Sequence, residues 1–515
     1  RHAAGSDTHG SPDVLELAPS VAHDLPELGV MLPYTPLQHL LLAAAAARGM
    51  HALVMTSGNL SEEPIETDDD LAWEHLVAAG IADALLGNDR AILSRYDDSV
   101  VRAVDGATMP VRRARGYAPQ PLPLPTIDAA APCVLACGPQ QKATIALTRD
   151  DPDCPASCFV SQHIGDVENG ATFDAWNAAR TRLEDLFDLA PAALACDLHP
   201  SYLSSQWARE QARKQGLPLI EVQHHHAHIA SVMAEAIAAG QLASDARALG
   251  IAFDGTGAGT DGTIWGGEFL IAGLADFERA AHLRTWPLPG GAASVRDARR
   301  NAFSLLSELG LIEHPGAAGL LSRLDEQTRS VTATMIERNI NSPRTSSMGR
   351  LFDAAAAMLG ICGTATYEGE PAIELEAAAW RALGGKSASS TDSLAGASTP
   401  ADGSPILDSQ PLFEALLSGI EAGAPADKLA LGFHIVIARA SAQVASEICA
   451  REGIDTVALS GGVFMNRLLL RFLTRELKDA GLTVLVPQTV PVNDGCIAYG
   501  QAAIARARLA QTAPR

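Results

Sequence analysis

Four histidines stand within five consecutive residues, at positions 224–226 and 228. They follow an apolar segment that predicts a strand, and they open an alanine-rich segment that predicts a helix. His224 and His228 are four residues apart, so a helix places both imidazoles on one face. Neutral ring nitrogens that converge in this way are typical metal ligands, although surface histidines at a polar helix start are the alternative. Two histidines do not complete a metal site, so the sequence predicts that carboxylates from elsewhere join them.

Two aspartates are candidates for these carboxylates. Asp254 ends an apolar run and precedes a glycine-rich stretch, which predicts a strand that runs into a turn. Glycines let backbone N–H groups approach phosphate oxygens closely, and we therefore expect Gly255, Thr256 and Gly257 to bind phosphate. Asp494 lies in an Asn-Asp-Gly segment after another predicted strand, where an ordinary turn is the alternative.

A third turn follows the buried strand predicted at 457–459. Ser460, Gly461 and Gly462 separate this strand from a predicted helix, and Asn466 precedes that helix. Because α/β proteins bind nucleotides at the carboxyl ends of strands, we expect this turn to face the other glycine-rich turn and to hold adenosine. On this interpretation Gly461→Val weakens nucleotide binding and leaves the fold intact. A tight strand–helix turn without a ligand is the alternative.

The first 120 residues carry a separate set of polar side chains. Ser57 and Asn59 follow a predicted strand, where a hydroxyl and an amide either bind phosphate or a nucleobase or cap the next helix. Arg95 and Arg115 belong to two arginine-containing segments of an otherwise acidic chain. The planar guanidinium suits phosphate, and a solvated basic patch is the alternative.

Predicted strands alternate with helices along the chain, which indicates an α/β fold. In the first part we predict strands at 29–32 and 53–55 and helices at 37–48 and 71–79. Alternating prolines in 118–128 predict a stiff, extended connection. We therefore place one domain at 1–120, a linker at 121–130 and a second domain at 131–510. Within the second domain, residues 384–410 are rich in small and polar residues and predict a flexible insertion.

Length and composition limit the function. The chain of 515 residues is long enough for two to four domains, and its net charge is -22. This charge disfavours a free-standing nucleic-acid binder, which needs a basic face. We find no uninterrupted apolar run long enough to span a bilayer and expect no membrane partner. Eight scattered cysteines, without a signal peptide, favour a reducing cytoplasm.

Taken together, these motifs resemble the HypF-type carbamoyltransferase of NiFe-hydrogenase maturation. The first 120 residues resemble part of its YrdC-like domain, and residues 131–510 resemble its Kae1-like domain. The resemblance covers nearly all of the chain, with the motifs in the family's order. The segments that carry it are 29–36, 56–59, 97–102, 113–117, 161–166, 197–200, 222–230, 254–268, 349–353, 367–370 and 460–462.

The resemblance implies a fold and a reaction. The larger domain is expected to form two RNase-H-like lobes of the actin-like (ASKHA) type, with nucleotide in the cleft. In the family, carbamoyl phosphate and ATP yield carbamoyl-adenylate. The carbamoyl group then passes to the C-terminal cysteine of HypE, where it becomes the precursor of the cyanide ligand of the hydrogenase iron.

The resemblance also assigns roles to residues. His224, His228, Asp254 and Asp494 match the family's metal positions, for one divalent or ferric ion, either iron or zinc. The remaining assignments concern nucleotide and catalysis: Ser57 and Asn59 match a Ser-x-Asn pair that handles nucleotide in the YrdC fold, Arg95 and Arg115 are phosphate candidates beside them, and Asp254, Lys142 and Arg350 are the candidate catalytic residues.

The sequence departs from the family pattern in several places. The acylphosphatase-like domain, the cysteine-rich zinc segment and the first half of the YrdC-like domain, with its Lys-x-Arg pair, have no counterpart in it. Ala143 stands where the family has Asn, and Ala298 and Arg299 replace Pro-Trp. We therefore expect a fragment of a longer enzyme, one that transfers a supplied carbamoyl group but does not form the adenylate.

Other functions stay open at this stage. A small-molecule O-carbamoyltransferase pairs the same two domains in the opposite order. Threonylcarbamoylation of tRNA uses both folds but fits poorly with the net charge of -22. A fragment also fits a non-catalytic scaffold that binds nucleotide and a partner.

Overall fold

The computed structural model describes residues 18–22, 25–104, 106–127, 131–151, 154–384 and 406–512. Within them the chain is α/β, as predicted, with a small N-terminal unit and two large sheets. Most of the predicted insertion at 384–410 lies outside the described residues.

The N-terminal unit is built from short elements. Helix α1 (Pro36–Ala46) begins with a capping box, in which Thr35 accepts from the amide of Gln38. Helix α2 (Asp69–Ala72) continues into a π-helical turn (Trp73–Ala78). Strands β1 (Val100–Val104) and β2 (Ala107–Arg112) form an antiparallel hairpin.

Two strands predicted in this unit are not formed. Residues 29–32 and 53–55 are extended but pair with no other strand among the described residues. A strand needs a neighbour to bond its backbone N–H and C=O groups, and an apolar pattern alone does not supply one. Both segments are consequently open to solvent, with Val30 and Val54 each 80% exposed.

The first large sheet has the strand order β3-β6-β5-β4-β7-β8. Strands β4 and β5 pair antiparallel as a hairpin. Helices α3 and α4 follow β6 and β7. The bounds are β3 (Pro121–Pro123), β4 (Val134–Ala136), β5 (Ala146–Asp151), β6 (Cys154–Val160), α3 (Gly170–Phe187), β7 (Ala193–Asp197), α4 (Leu203–Gln215) and β8 (Leu219–Val222).

The segment predicted as a linker begins as part of this sheet. Strand β3 pairs with β6, and the side chains of Leu122 and Leu124 are 7% and 4% exposed. Its prolines fit because an edge strand leaves one row of backbone groups unpaired. Residues 121–124 are therefore fixed to the first large sheet.

The second sheet has the path β12-β13-β10-β9-β15-β16, and β11 and β14 extend it beside β10. Strand β9 lies at its centre, antiparallel to β10 and parallel to β15. The bounds are β9 (Ala248–Ala258), β10 (Ile264–Ala272), β11 (Phe277–Leu283), β12 (Trp286–Pro287), β13 (Arg344–Thr345), β14 (Ile406–Leu407), β15 (Thr456–Ser460) and β16 (Thr483–Leu485).

Helices cover one face of this second sheet. They are α6 (Ala292–Arg296), α7 (Ala298–Glu308), α8 (Ala318–Ser322), α9 (Glu326–Glu337), α10 (Met348–Met358), α11 (Glu370–Leu383), α12 (Gln410–Glu421), α13 (Ala426–Glu452) and α14 (Arg467–Asp479). Helix α13 is long and apolar enough to cross a membrane, but 72% of its most apolar stretch is buried inside the protein. It is accordingly a core helix of the second lobe.

Two further helices lie between the sheets. Helix α5 (His224–Ala238) packs on β9 and β15, and α15 (Ile497–Thr512) packs on α5 and on β4 of the first sheet. The two helices touch closely, since a Cβ atom on Gly500 would lie 1.9 Å from the carbonyl oxygen of Ala227. The start of α5 is therefore held at the junction of both lobes.

Candidate metal and nucleotide site

The two candidate histidines are positioned by the start of helix α5. Strand β8 ends at Val222, and Gln223 caps the helix by accepting from the amide of His226 at 2.9 Å. His224 and His228 then stand one turn apart and are both buried. Their Nε2 atoms face the carboxylates of Asp254 and Asp494.

Asp254 and Asp494 lie beside the Nε2 atoms of both histidines. Asp254 belongs to β9, and its Oδ1 accepts from the amide of Gly462 at 3.0 Å. Asp494 opens a single 3₁₀ turn (Asp494–Cys496), which Asn493 caps by accepting from the amide of Gly495. The structure thus brings together the four residues that the sequence proposed as metal ligands.

The spacing of the four side chains fits a metal ion. Asp254 Oδ2 lies 3.2 Å from Nε2 of His224 and 3.3 Å from Nε2 of His228. Asp494 Oδ1 lies 3.6 and 3.5 Å from the same two atoms. Ligand atoms about 2.1 Å from a tetrahedral ion are separated by about 3.4 Å. The Nε2 of His228 is buried without a hydrogen-bond partner, as expected of an atom that coordinates an ion.

The electrostatics of the cluster also favour a cation. Burial opposes charge on His224, but Asp494, together with the hydrogen bonds that His224 donates to Asp197 and Asp254, raises its pKa well above the usual value. Burial likewise opposes charge on Asp494, yet His224 lowers its pKa to about 2. Without an ion, protons on the imidazoles balance the carboxylates. A bound cation would displace those protons, so we expect metal binding to weaken as the pH falls.

Two residues that sequence reasoning did not place in the site, and Ser460, contact the histidines from behind. Asp197 Oδ2 lies 2.9 Å from Nδ1 of His224. Cys496 Sγ lies 3.3 Å from Nδ1 of His228, and Ser460 Oγ lies 3.2 Å from the same atom. Ser460 was expected to contact nucleotide, but it is fully buried here. The position of Asp197 at the end of β7, whose neighbour β8 leads into α5, was the available signal.

The glycine-rich turn predicted after Asp254 is instead a continuation of β9. The strand runs to Ala258, pairs with β10 around a bulge, and turns only at residues 259–263. Gly257 is small because the histidines pack on it: a Cβ atom there would lie 2.6 Å from His225 Cε1. At Gly255, by contrast, a Cβ atom would meet nothing within 4 Å. Thr256 beside it is partly exposed.

The Ser460–Gly462 turn also differs from the expectation. Gly461 has φ +109°, and a Cβ atom on it would lie 2.2 Å from the carbonyl oxygen of Phe253. The prediction that Gly461→Val leaves the fold intact is therefore wrong, because valine would collide with the backbone of β9. Asn466 caps α14 through the amide of Leu469 and donates to His434. The polar groups of this turn are largely used within the fold.

Two candidate catalytic residues lie near the open end of this region. Arg350 is 7% exposed and bonds Asp353 at 2.7 Å, and the adjacent Gly349 packs on Gly255. Lys142, from the first lobe, pairs with Glu368 of the second lobe at 2.6 Å. Burial lowers the pKa of Lys142, but Glu368 and then Asp494 outweigh burial and raise it.

The four candidates in the N-terminal unit stay apart from this cluster. Asn59 Nδ2 donates to the carbonyl oxygens of Leu60 and Glu63, and Ser57 is exposed. Arg95 donates to the carbonyl oxygen of Ile65. Arg115 pairs with Asp98 and lies over the ring of Tyr34.

The N-terminal unit nevertheless touches the loop that carries Asp494. Asn493 Nδ2 donates to the carbonyl oxygen of Val111 in β2 at 2.9 Å. Arg102 in β1 donates to the carbonyl oxygen of Met465 at 3.0 Å. Met109 is 5% exposed and joins the core of the second lobe. The hairpin therefore rests against the metal-ligand loop.

Two lobes with a buried cluster of candidate ligands at their junction, preceded by a smaller unit, define a multidomain α/β protein with a candidate metal centre between its two large sheets. Residues 129–235 match the HypF Kae1-like domain, and residues 250–501 match the second subdomain of the carbamoyltransferase Kae1-like domain. Residues 11–114 match the Sua5/YciO/YrdC family, described as telomere recombination. The chain belongs to the HypF carbamoyltransferase family.

Individual relatives agree with this assignment. The chain is 41% identical to carbamoyltransferase HypF2 of Cupriavidus necator, over 95% of the chain and 62% of that protein. It is 38% identical to a HypF homolog of the same organism, over 72% of the chain and 91% of the homolog. A crystal structure of full-length HypF in the phosphate- and nucleotide-bound form superposes with a TM-score of 0.84, at 37% identity, over 96% of the chain and 72% of that structure. The chain spans about three fifths of the full-length curated relatives that it matches.

Proposed function

We propose that this chain is the transferase part of a metal-dependent carbamoyltransferase of NiFe-hydrogenase maturation. In this function, carbamoyl phosphate and ATP give carbamoyl-adenylate, and the carbamoyl group passes to the C-terminal cysteine of HypE. The observation that carries the proposal is the cluster of His224, His228, Asp254 and Asp494 in a chain of the HypF family.

The metal is assigned to the four clustered side chains. Two imidazole nitrogens and two carboxylate oxygens suit iron or zinc. When bound, such an ion supplies Lewis-acid stabilisation of negative oxygens. Asp254 has a further role, because its second oxygen holds the amide of Gly462 and so ties the ligand cluster to the Ser460–Gly462 turn.

The nucleotide is assigned to the space beside Gly255. The side of Gly255 on which a Cβ would stand is open, Thr256 is partly exposed, and Gly257 continues the strand. Arg350, paired with Asp353, follows Gly349, which packs on Gly255. Lys142 pairs with Glu368 and lies close enough to Asp494 for that carboxylate to raise its pKa. Fixed cations of this kind stabilise phosphate oxygens. The nucleotide reported for the full-length HypF crystal structure supports a nucleotide as the ligand.

The transfer step follows from this placement. The sulfur of the acceptor cysteine attacks the carbamoyl carbon, and the bond between that carbon and the phosphate oxygen of the adenylate breaks. AMP leaves with the bonding electrons, and the thiol proton passes to solvent or to a carboxylate. Lys142 and Arg350 stabilise the charge that develops on the departing phosphate.

Adenylate formation is assigned to the YrdC-like domain of the full-length enzyme, of which the N-terminal unit of this chain is a part. We place this unit at 1–120 and the transferase unit at 131–510, with the connection at 121–130. Ser57, Asn59, Arg95 and Arg115 are its candidate nucleotide contacts. The sheet pairing of β3 and the hairpin contacts at Asn493 hold the two units together. A reducing cytoplasm, where HypE would present a free cysteine, is the proposed location.

The transfer is tested by mass spectrometry of HypE. One reaction contains this chain, HypE and supplied carbamoyl-adenylate, and a second contains ATP and carbamoyl phosphate in place of the adenylate. We expect the mass of one carbamoyl group on the C-terminal cysteine in the first reaction. A HypE variant without that cysteine is the control. No modification in either reaction would contradict a transferase and favour a nucleotide-binding scaffold.

The metal is tested by elemental analysis. The variant with His224→Ala and His228→Ala should lose the bound iron or zinc. His75→Ala is the matched control, because His75 also lies beside carboxylates, with Glu66 at 2.6 Å, but in the N-terminal unit. Full metal content in the double variant would show that these histidines are not ligands.

A further inference from the structure

We propose that Asp197 is a positioning residue that fixes the ring of His224 and the proton on it, so that Nε2 is free to bind the metal. The inference rests on the metal assignment of the proposed function. It adds a residue that coordinates nothing itself and acts through one ligand.

The geometry around His224 supports this role. Asp197 Oδ2 lies 2.9 Å from Nδ1, while Nε2 on the opposite side of the ring faces Asp254 and Asp494. With the Nδ1 proton donated to Asp197, Nε2 carries the lone pair that a metal requires. The other neutral tautomer would carry its proton on Nε2 and present an N–H to the ion site instead.

Asp197 is itself held rigidly. It is the last residue of β7, is 1% exposed, and pairs in register with Val222, two residues before His224. Its second oxygen accepts from the amide of His199 at 2.8 Å. Its carbonyl oxygen accepts from the hydroxyl of Ser205 at 3.0 Å. The carboxylate therefore has one orientation, and it imposes that orientation on the imidazole.

The charge of Asp197 also matters. A carboxylate buried this deeply is costly unless cationic groups compensate it. Here the compensation is the imidazole that it contacts and, through that ring, a cation at Nε2. His228 differs, because its Nδ1 faces only the neutral hydroxyl of Ser460 and the thiol of Cys496. Removing the carboxylate should thus weaken the ligand His224 and leave His228 unaffected.

The experiment is a Co²⁺ titration of the whole chain, followed by the visible absorption of the bound ion. We expect Asp197→Ala to raise the Kd for Co²⁺ by about 10–100-fold, the range found for such supporting groups. Asp197→Asn keeps the shape of the side chain and one oxygen that can accept from the amide of His199, but it turns an NH2 toward Nδ1 of His224. It should therefore fold even if the alanine variant does not, and it should also raise the Kd. Asp150→Asn, which removes the carboxylate that pairs with the buried Arg506, is the control and should bind Co²⁺ as the wild type does.

A double-mutant cycle separates positioning from general damage. In a His228→Ala background, Asp197→Ala should cause its full loss of affinity, whereas in a His224→Ala background it should cause none. If His224→Ala abolishes binding, the inference is decided by Asp197→Ala and Asp197→Asn on their own and by Asp197→Ala in the His228→Ala background. A Kd within about threefold of wild type in both Asp197 variants would overturn the inference while the metal assignment stands. Wild-type protein that binds no Co²⁺ would overturn both.

Discussion

Adding one methyl group should lower the folding stability at one glycine near the site and the nucleotide affinity at another. Gly461→Ala forces alanine into φ +109° and ψ 151°, a region that only glycine occupies readily and that costs about 1–3 kcal/mol. The new methyl would also lie 2.2 Å from the carbonyl oxygen of Phe253, so β9 or β15 must move. Overpacking of this kind costs about 1–3 kcal/mol more. Together these effects remove about 2–6 kcal/mol of folding free energy.

Gly255→Ala is the matched change. Its methyl would meet nothing within 4 Å, and Gly255 does not have a positive φ, so its backbone conformation does not require glycine. The unfolding free energy should therefore change by less than about 0.5 kcal/mol. In the proposed site, however, the methyl projects into the space assigned to phosphate. Nucleotide affinity should then fall although the fold is unchanged.

Both changes are measured by urea unfolding and by calorimetric titration with ATP. Gly461→Ala should lower the unfolding midpoint strongly. Gly255→Ala should keep the midpoint and weaken ATP binding. Wild-type ATP affinity in the Gly255 variant would refute the phosphate assignment. Wild-type stability in the Gly461 variant would refute the steric reasoning.

Three other side chains give independent predictions. Glu235 accepts from three backbone amides at 488–490. Glu235→Gln should therefore lower the unfolding free energy by about 1.5–3 kcal/mol in urea titrations. A change close to zero, as for a solvent-exposed glutamate, would contradict these bonds. Burial lowers the pKa of His226 to about 4, below its unfolded value near 6.5, so stability is lost as the pH falls through this window. His226→Gln should reduce the slope of unfolding free energy against pH there by up to about 1.4 kcal/mol per pH unit, and an unchanged slope would contradict the burial argument. Glu368→Gln should lower the pKa of Lys142 and speed its acylation in peptide maps at a fixed pH, while stability changes by less than about 1 kcal/mol; unchanged reactivity would show that the pair does not form.

Much of the fold was predictable because local patterns carry it. Strands β8 and β15 and the start of α5 lie where apolar runs and the histidine segment predicted them. The α/β class is confirmed. The prediction failed at 29–32 and 53–55 because strand formation depends on a neighbour that a local pattern does not reveal. It failed at 121–124 because alternating proline and leucine suit an edge strand as well as a linker.

The four ligand candidates could be named from the sequence because each is a His or Asp beside a predicted strand end. Their spacing could not, since it depends on α5 lying between two sheets. Asp197 escaped notice for a related reason: its partner is 27 residues away, and only the parallel register of β7 and β8 brings the two together. The role of Asp197 can be recognised only when the orientation of the His224 ring is known.

The glycines near the site show why small residues are ambiguous evidence for a ligand. Gly257 makes room for an imidazole, Gly461 for the backbone of β9, and Gly500 for helix α5. All three allow parts of the protein to approach one another, and a sequence pattern cannot distinguish this from the approach of a phosphate. Gly255 differs because the space beside it is open, although nothing in the packing requires a glycine there. The case for a nucleotide in this cleft therefore depends on Gly255 more than on the longer glycine-rich pattern that first suggested it.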